Sequence, residues 1–157
     1  MTIAQQLLEI AAREVGNMEK PTNSNRTKYG KWFGLDGVAW CGIFVSWCYH
    51  QAGAPLGNIG FTKGFAGCQT AVMHFRRTKE ITLGPQPGDI VFFDWNRDGR
   101  YDHTGLFVRR IDAGTFETIE GNTSLTNQSN GGQVMRRNRK FGPGILFVHP
   151  KVLNLGA

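Results

Sequence analysis

Three side chains in this sequence could share the work of an acyl transfer: Cys41, His103 and Glu120. A cysteine attacks as its thiolate. It needs a base within hydrogen-bond reach, and that base needs a partner to orient it. Cys41 lies in the apolar run Ala39-Trp40-Cys41-Gly42-Ile43-Phe44-Val45-Ser46-Trp47-Cys48-Tyr49. Read as a buried helix, the run places Cys41 at its mouth, where unpaired N–H groups and the helix dipole favour an anion. A thiol there has a lowered pKa, and the same N–H groups can receive the oxyanion of a tetrahedral intermediate. Gly42 is expected to leave room for a substrate backbone. Cys48, two turns further in among aromatics, reads as inert packing.

Of the four histidines, His103 is the best candidate for the base. His50 falls nine residues after Cys41 on the same helix, on the opposite face and roughly 13 Å along the axis. His74, beside Arg76 and Arg77, and His149, before Pro150, read as surface residues. His103 opens an apolar stretch straight after a tight polar turn, a junction at which catalytic groups are often presented. Glu120-Gly121-Asn122 closes the next such stretch, 17 residues on. If the two strands pair antiparallel, the start of one meets the end of the other, and Glu120 or Asn122 can reach the imidazole.

The elements that must position these groups follow from patterning. Thr2–Val15 reads as an amphipathic helix with a Thr2/Gln5 capping box, an inner stripe of Ala4, Leu7, Leu8, Ala11 and Val15, and Gly16 as its stop. A helical turn near Asn25–Phe33 would gather Tyr29, Trp32 and Phe33, as a groove lining or as core cover. On the central helix, Cys41, Phe44, Val45, Cys48 and Ala52 form one stripe. A second helix is expected from about Phe65 to Arg77. It carries Cys68 and His74 on different faces, which argues against a catalytic pair. Ile90–Phe93 reads as a buried strand, followed by strands near His103–Val108, Phe116–Glu120, Gln133–Arg137 and Ile145–His149. Helices first and an antiparallel sheet second is an α+β order, and the chain reads as one domain over residues 1–157.

Composition narrows the function. Hydrophobic residues make up 40% and charged residues 19%, a globular balance with no disordered block. The three cysteines cannot all pair within the chain and show no CxxC metal spacing. No apolar run is long enough to span a bilayer, and the first residues lack signal-peptide features, so synthesis in the cytoplasm is expected. The net charge of +6 favours polyanionic partners. Its one local cluster, Arg136-Arg137-Asn138-Arg139-Lys140, reads as a solvated strand edge or loop. No nucleic-acid-binding pattern is present, so nucleic acid is a weak reading.

Four segments, in order, resemble the CHAP family of cysteine- and histidine-dependent amidohydrolases and peptidases of peptidoglycan, and more distantly the NlpC/P60 group. They are Trp40–Cys48, Pro87-Gly88-Asp89-Ile90-Val91-Phe92-Phe93, Asp102-His103-Thr104-Gly105 and Glu120-Gly121-Asn122. The resemblance covers roughly residues 3–149. It implies a papain-like α+β fold with N-terminal helices packed on a mostly antiparallel sheet. It implies Cys41 as nucleophile, His103 as general base and acid, Glu120 as orienting acid and Asn122 as a fourth polar site residue. The reaction implied is hydrolysis of a peptidoglycan amide bond through a thioacyl-enzyme, by a muramoyl-alanine amidase or a stem or cross-bridge endopeptidase. A monomeric phage or prophage lysin, acting on the wall after release, is the expected setting.

Asp94-Trp95-Asn96-Arg97-Asp98-Gly99-Arg100-Tyr101-Asp102 resembles the first nine positions of an EF-hand loop. Side-chain oxygens of Asp94, Asn96, Asp98 and Asp102, with the Arg100 carbonyl, would ligate a structural Ca²⁺, and no cofactor is required for the chemistry. Position 12 is Gly105 where a bidentate Glu is expected, and a plain Asx-rich turn is the competing reading. Other functions considered are a cysteine hydrolase of a non-wall amide such as glutathionylspermidine or a protein tail, a non-catalytic wall-binding module, and a basic nucleic-acid binder.

Overall fold

A computed structural model describes residues 1–124, 126–127 and 130–155. Helix α1 (Ile3–Arg13) starts where Thr2 caps it. The Thr2 hydroxyl accepts the Gln5 N–H at 3.1 Å and the Gln5 side chain accepts the Thr2 N–H at 2.8 Å, the reciprocal bonding expected of that spacing. Leu7 and Ala11 carry its buried stripe, but Val15 lies beyond the helix end and is 41% exposed. The expected stripe is therefore one turn too long. Helix α2 (Lys28–Phe33) is capped by Thr27 and stopped by Gly34 at φ 90°. Its Tyr29 and Phe33 are buried in the core: Tyr29 stacks on Trp40 at 5.5 Å and meets Phe44 edge-on at 5.1 Å.

Helix α3 (Cys41–Gln51) is the centre of the molecule. Every residue from Cys41 to Tyr49 except Trp47 is buried, because α1 and α2 cover one side and strands β3 and β4, bounded below, the other. Helix α4 is shorter than expected, Cys68–Arg77, with Phe65 and Ala66 in the loop before it. That loop is fastened to α3 by Ser46, whose hydroxyl accepts the Phe65 N–H at 3.1 Å and donates to the Gly42 carbonyl at 3.0 Å. A Cβ on Gly42 would lie 2.8 Å from the Phe65 ring and 2.9 Å from the Ala66 carbonyl. Gly42 thus admits this loop; the expected room for a substrate backbone is already filled.

The strands are β1 (Ile81–Thr82), β2 (Ile90–Phe93), β3 (His103–Arg110), β4 (Thr115–Thr123), β5 (Gln133–Lys140) and β6 (Ile145–Val148), with a 3₁₀ turn at Lys151–Asn154. They form one antiparallel sheet in the order β1-β6-β2-β3-β4-β5. The α+β order is the order observed. Ile90, Phe92, Leu106, Ile119, Val134 and Val148 face the helices, whereas Val91, Phe93, Phe107, Phe116 and Phe147 form a second apolar cluster with Phe141 and Ile145. Both faces of β2 are covered, which is why Ile90–Phe93 is apolar without alternation. Among the described residues no helix is long and apolar enough to cross a membrane.

Candidate active site

The antiparallel pairing of β3 with β4 brings His103 and Glu120 together. His103 Nε2 lies 2.8 Å from Glu120 Oε1, and both side chains are fully buried. Glu120 reaches the ring by crossing Gly105. A Cβ at Gly105 would sit 2.5 Å from Glu120 Cγ, so the residue two after the histidine has no room for a side chain. Arg139 on β5 holds the carboxylate from the other side, with Nε 2.9 Å from Oε2 and Nη2 2.6 Å from Oε1. The Thr118 hydroxyl donates to Oε2 at 2.5 Å. Trp95 covers the assembly, stacked on His103 at 5.3 Å with the Arg139 guanidinium 4.8 Å from its ring.

Cys41 is the first residue of α3, and Cys68 the first of α4. Neither helix has a side-chain cap, which leaves backbone N–H groups free to face the sulfurs. The two Sγ atoms are 3.9 Å apart, and the thiols are 4% and 7% exposed. His103 Nε2 is taken by Glu120. Its Nδ1 has no full hydrogen bond among the described residues and is the nitrogen left for the thiol.

The electrostatics follow from these contacts. The Cys41 pKa lies well below the ordinary thiol value. A hydrogen bond from Cys68 is the largest cause; burial opposes it, and His103 and the Gly42 N–H add to the lowering. The Cys68 thiol is pushed up in return, by the bond it gives Cys41 and by burial. Burial pulls the His103 pKa down, but Cys41 and Glu120 outweigh it and raise it to about 9. Burial would raise Glu120, yet Arg139 and His103 hold it at about 2. The consistent charge state at neutral pH is thiolate, imidazolium, carboxylate, guanidinium. Cys48 is the opposite case: burial raises its pKa, as expected of a packing thiol.

The structure thus gathers Cys41, His103 and Glu120. Asn122 is fully buried at φ 57°, but its Nδ2 donates to Asn130 at 3.0 Å and its carbonyl accepts the Gly131 N–H at 2.9 Å. It shapes the exit from β4, and its Oδ1 has no partner among the described residues. Sequence reasoning missed Arg139, Cys68, Trp95 and Thr118. It also misplaced His149, which is no free surface group: its Nδ1 lies 2.6 Å from Asp89 Oδ1.

In the loop after β2, the Asp94 carboxylate accepts the N–H groups of Asp98 at 3.3 Å and Gly99 at 2.9 Å. Asp98 accepts that of Arg100 at 2.9 Å, and the Asn96 amide donates to Asp98 at 3.4 Å. These are the Asx-type bonds such a turn makes. Among the described residues no three His, Cys, Asp or Glu side chains converge as a metal group. Asp94, Asn96, Asp98, Arg100 and Asp102 all lie in this turn, and no chemistry is routed through calcium. What the turn does position is Trp95 over His103.

None of the curated proteins compared with this chain matches it. The family model for the CHAP domain matches residues 33–122, more than half of the chain, from the end of α2 through the thiol helix and the histidine strand to Asn122. The chain belongs to the CHAP family, whose domain is a peptidoglycan hydrolase.

Proposed function

We propose that the protein cleaves an amide bond of peptidoglycan through a thioacyl-enzyme on Cys41. The supporting observation is the buried run of alternating charges Cys41–His103–Glu120–Arg139 at the head of α3. The Cys41 thiolate attacks the scissile carbonyl carbon. The oxygen takes the negative charge and is received by N–H groups at the start of α3. The His103 imidazolium protonates the leaving amine, and the neutral ring then takes a proton from water as that water attacks the thioester. Glu120 fixes the ring and keeps its charged form favourable, as a third group does in a nucleophile–base–acid set. Arg139 keeps Glu120 ionised.

A cavity of about 580 Å³ on the α1–α2 flank is lined by Lys20, Arg26, Lys28 and Lys31, together with Tyr29. Its charge suits an anionic wall polymer, and Tyr29 joins it by stacking to Trp40, the neighbour of Cys41. We take the setting to be a phage or prophage lysin. Purified peptidoglycan is to be digested with wild type and Cys41→Ala, and the fragments read by mass spectrometry. Release by wild type alone fixes the nucleophile, and the new termini name the bond. Equal release by both removes Cys41 from the mechanism. No release from several wall chemotypes by folded wild type rejects the wall substrate.

A further inference from the structure

Cys68 is buried against the proposed nucleophile and bonds to it, yet forms no covalent bond in the acyl-transfer scheme. Its sulfur is 3.9 Å from Cys41 Sγ, the direct contact of two unbonded sulfurs. An S–S bond is about 2.05 Å long. Both residues begin helices, Cys41 at the start of α3 and Cys68 at the start of α4. The loop before α4 is tied to α3 through Ser46, and α4 is tied to the turn before His103 by Gln69, whose Oε1 accepts the Tyr101 N–H at 2.9 Å. The two helix starts are thus held face to face.

We infer that Cys41 and Cys68 form a redox pair: a peroxide converts them to a disulfide that blocks the nucleophile reversibly. In the first step the Cys41 thiolate attacks one peroxide oxygen. The O–O bond breaks, Cys41 becomes a sulfenic acid, and hydroxide leaves to take up a proton as water. In the second step the Cys68 sulfur, losing its proton to hydroxide or His103, attacks the Cys41 sulfur. The S–O bond breaks and a second water leaves. Two thiols have lost two electrons and the peroxide has gained them. The Cys41 thiolate that holds the Cys68 proton is consumed in the first step, so the leading cause of the raised Cys68 pKa disappears before Cys68 must react. Cys48 has no thiol partner among the described residues and burial raises its pKa, so it serves as the internal control.

The test treats the full-length protein with hydrogen peroxide and reads intact mass and iodoacetamide labelling, neither of which depends on the substrate. Wild type should lose two hydrogens, yield a Cys41–Cys68 linked peptide in a non-reducing digest, and regain Cys41 labelling on reduction with dithiothreitol. Cys68→Ser should instead gain two oxygens at Cys41, and dithiothreitol should not restore labelling. Should Cys68→Ser fail to fold, the linked peptide in wild type decides alone. Wild-type Cys41 that accumulates oxygens without a Cys68 link, and is not rescued by dithiothreitol, overturns the pair.

Discussion

Arg139→Gln is the substitution that tests the charge run most directly. Glu120 is fully buried between His103 and Arg139, and its carboxyl is held at about 2 against an ordinary value of 4.5. At about 1.4 kcal/mol per pH unit, that difference is worth about 3 kcal/mol of stability at neutral pH. The folded pKa is depressed, so this contribution is present above pH 4.5 and lost as pH falls through 2. Removing one partner of a buried pair costs about 3–5 kcal/mol by an independent route, because the other charge is left uncompensated. Urea unfolding at pH 7 should therefore show Arg139→Gln less stable by about 3 kcal/mol. Its acid-side loss of stability should begin at higher pH, since the carboxyl now protonates more readily. Once protonated, Glu120 no longer supports the imidazolium, so iodoacetamide labelling of Cys41 at neutral pH should slow. Arg139→Lys should fall between, because it keeps the charge and loses the two-pronged geometry. If Arg139→Gln unfolds within about 0.5 kcal/mol of wild type, the range of an ordinary surface change, and labels Cys41 at the same rate, Arg139 is not what holds Glu120.

The other tests are simpler. Gly105→Ala should push the Glu120 side chain off His103, costing about 1–3 kcal/mol from overpacking and most of the Cys41 labelling rate; a variant as stable and as reactive as wild type would show that Glu120 can move aside freely. Activity should fall on the alkaline side near pH 9, where His103 loses its proton; the raised pKa means the stabilising imidazolium is fully present below about 6.5 and lost as pH rises through about 9. Glu120→Gln should draw that limb to lower pH, and an unmoved limb would assign it to another group. For calcium, melting temperature is followed with EDTA and with added Ca²⁺. A ligand that binds only the folded state at 100 times its Kd adds about 2.7 kcal/mol, so binding should raise the melting temperature and Asp94→Asn should remove the rise. No response in wild type leaves the Asx turn sufficient.

Local pattern carried much of this structure into the sequence. The Thr2 cap, the stripe from Cys41 to Ala52 and the apolar run of β2 are each written within a few residues, so they were legible. His103 and Glu120 were paired because two consecutive strands joined by a short turn have one simple antiparallel arrangement. Arg139 was not legible in the same way. It lay in a basic run that averages to a solvated edge, and only alternation along β5 separates it from its neighbours. Phe116 stands opposite Arg139, so Arg139 shares a sheet face with Thr118 and Glu120 while Arg136 and Asn138 point away. With the β4–β5 register in hand, that parity is the signal. Cys68 had no such signal, since its contact joins two helix starts 27 residues apart through a loop of irregular backbone. His149 likewise meets Asp89 across 60 residues.

The placement of the four charges explains why the site is split between a helix and a sheet. The thiolate draws on the Cys68 thiol and the His103 imidazolium, and the helix start adds the Gly42 backbone N–H. An imidazolium buried as deeply as His103 needs the reverse, a carboxylate that stays ionised without water. On a sheet, neighbouring strands can stack His103, Glu120 and Arg139 side by side at hydrogen-bond distance. Each charge then faces an opposite one. Alternation also fixes the direction of the chemistry. Protonating Glu120 weakens the imidazolium, a neutral ring weakens the thiolate, and so a change at Arg139 reaches Cys41 through two intervening groups without Arg139 touching the reacting sulfur.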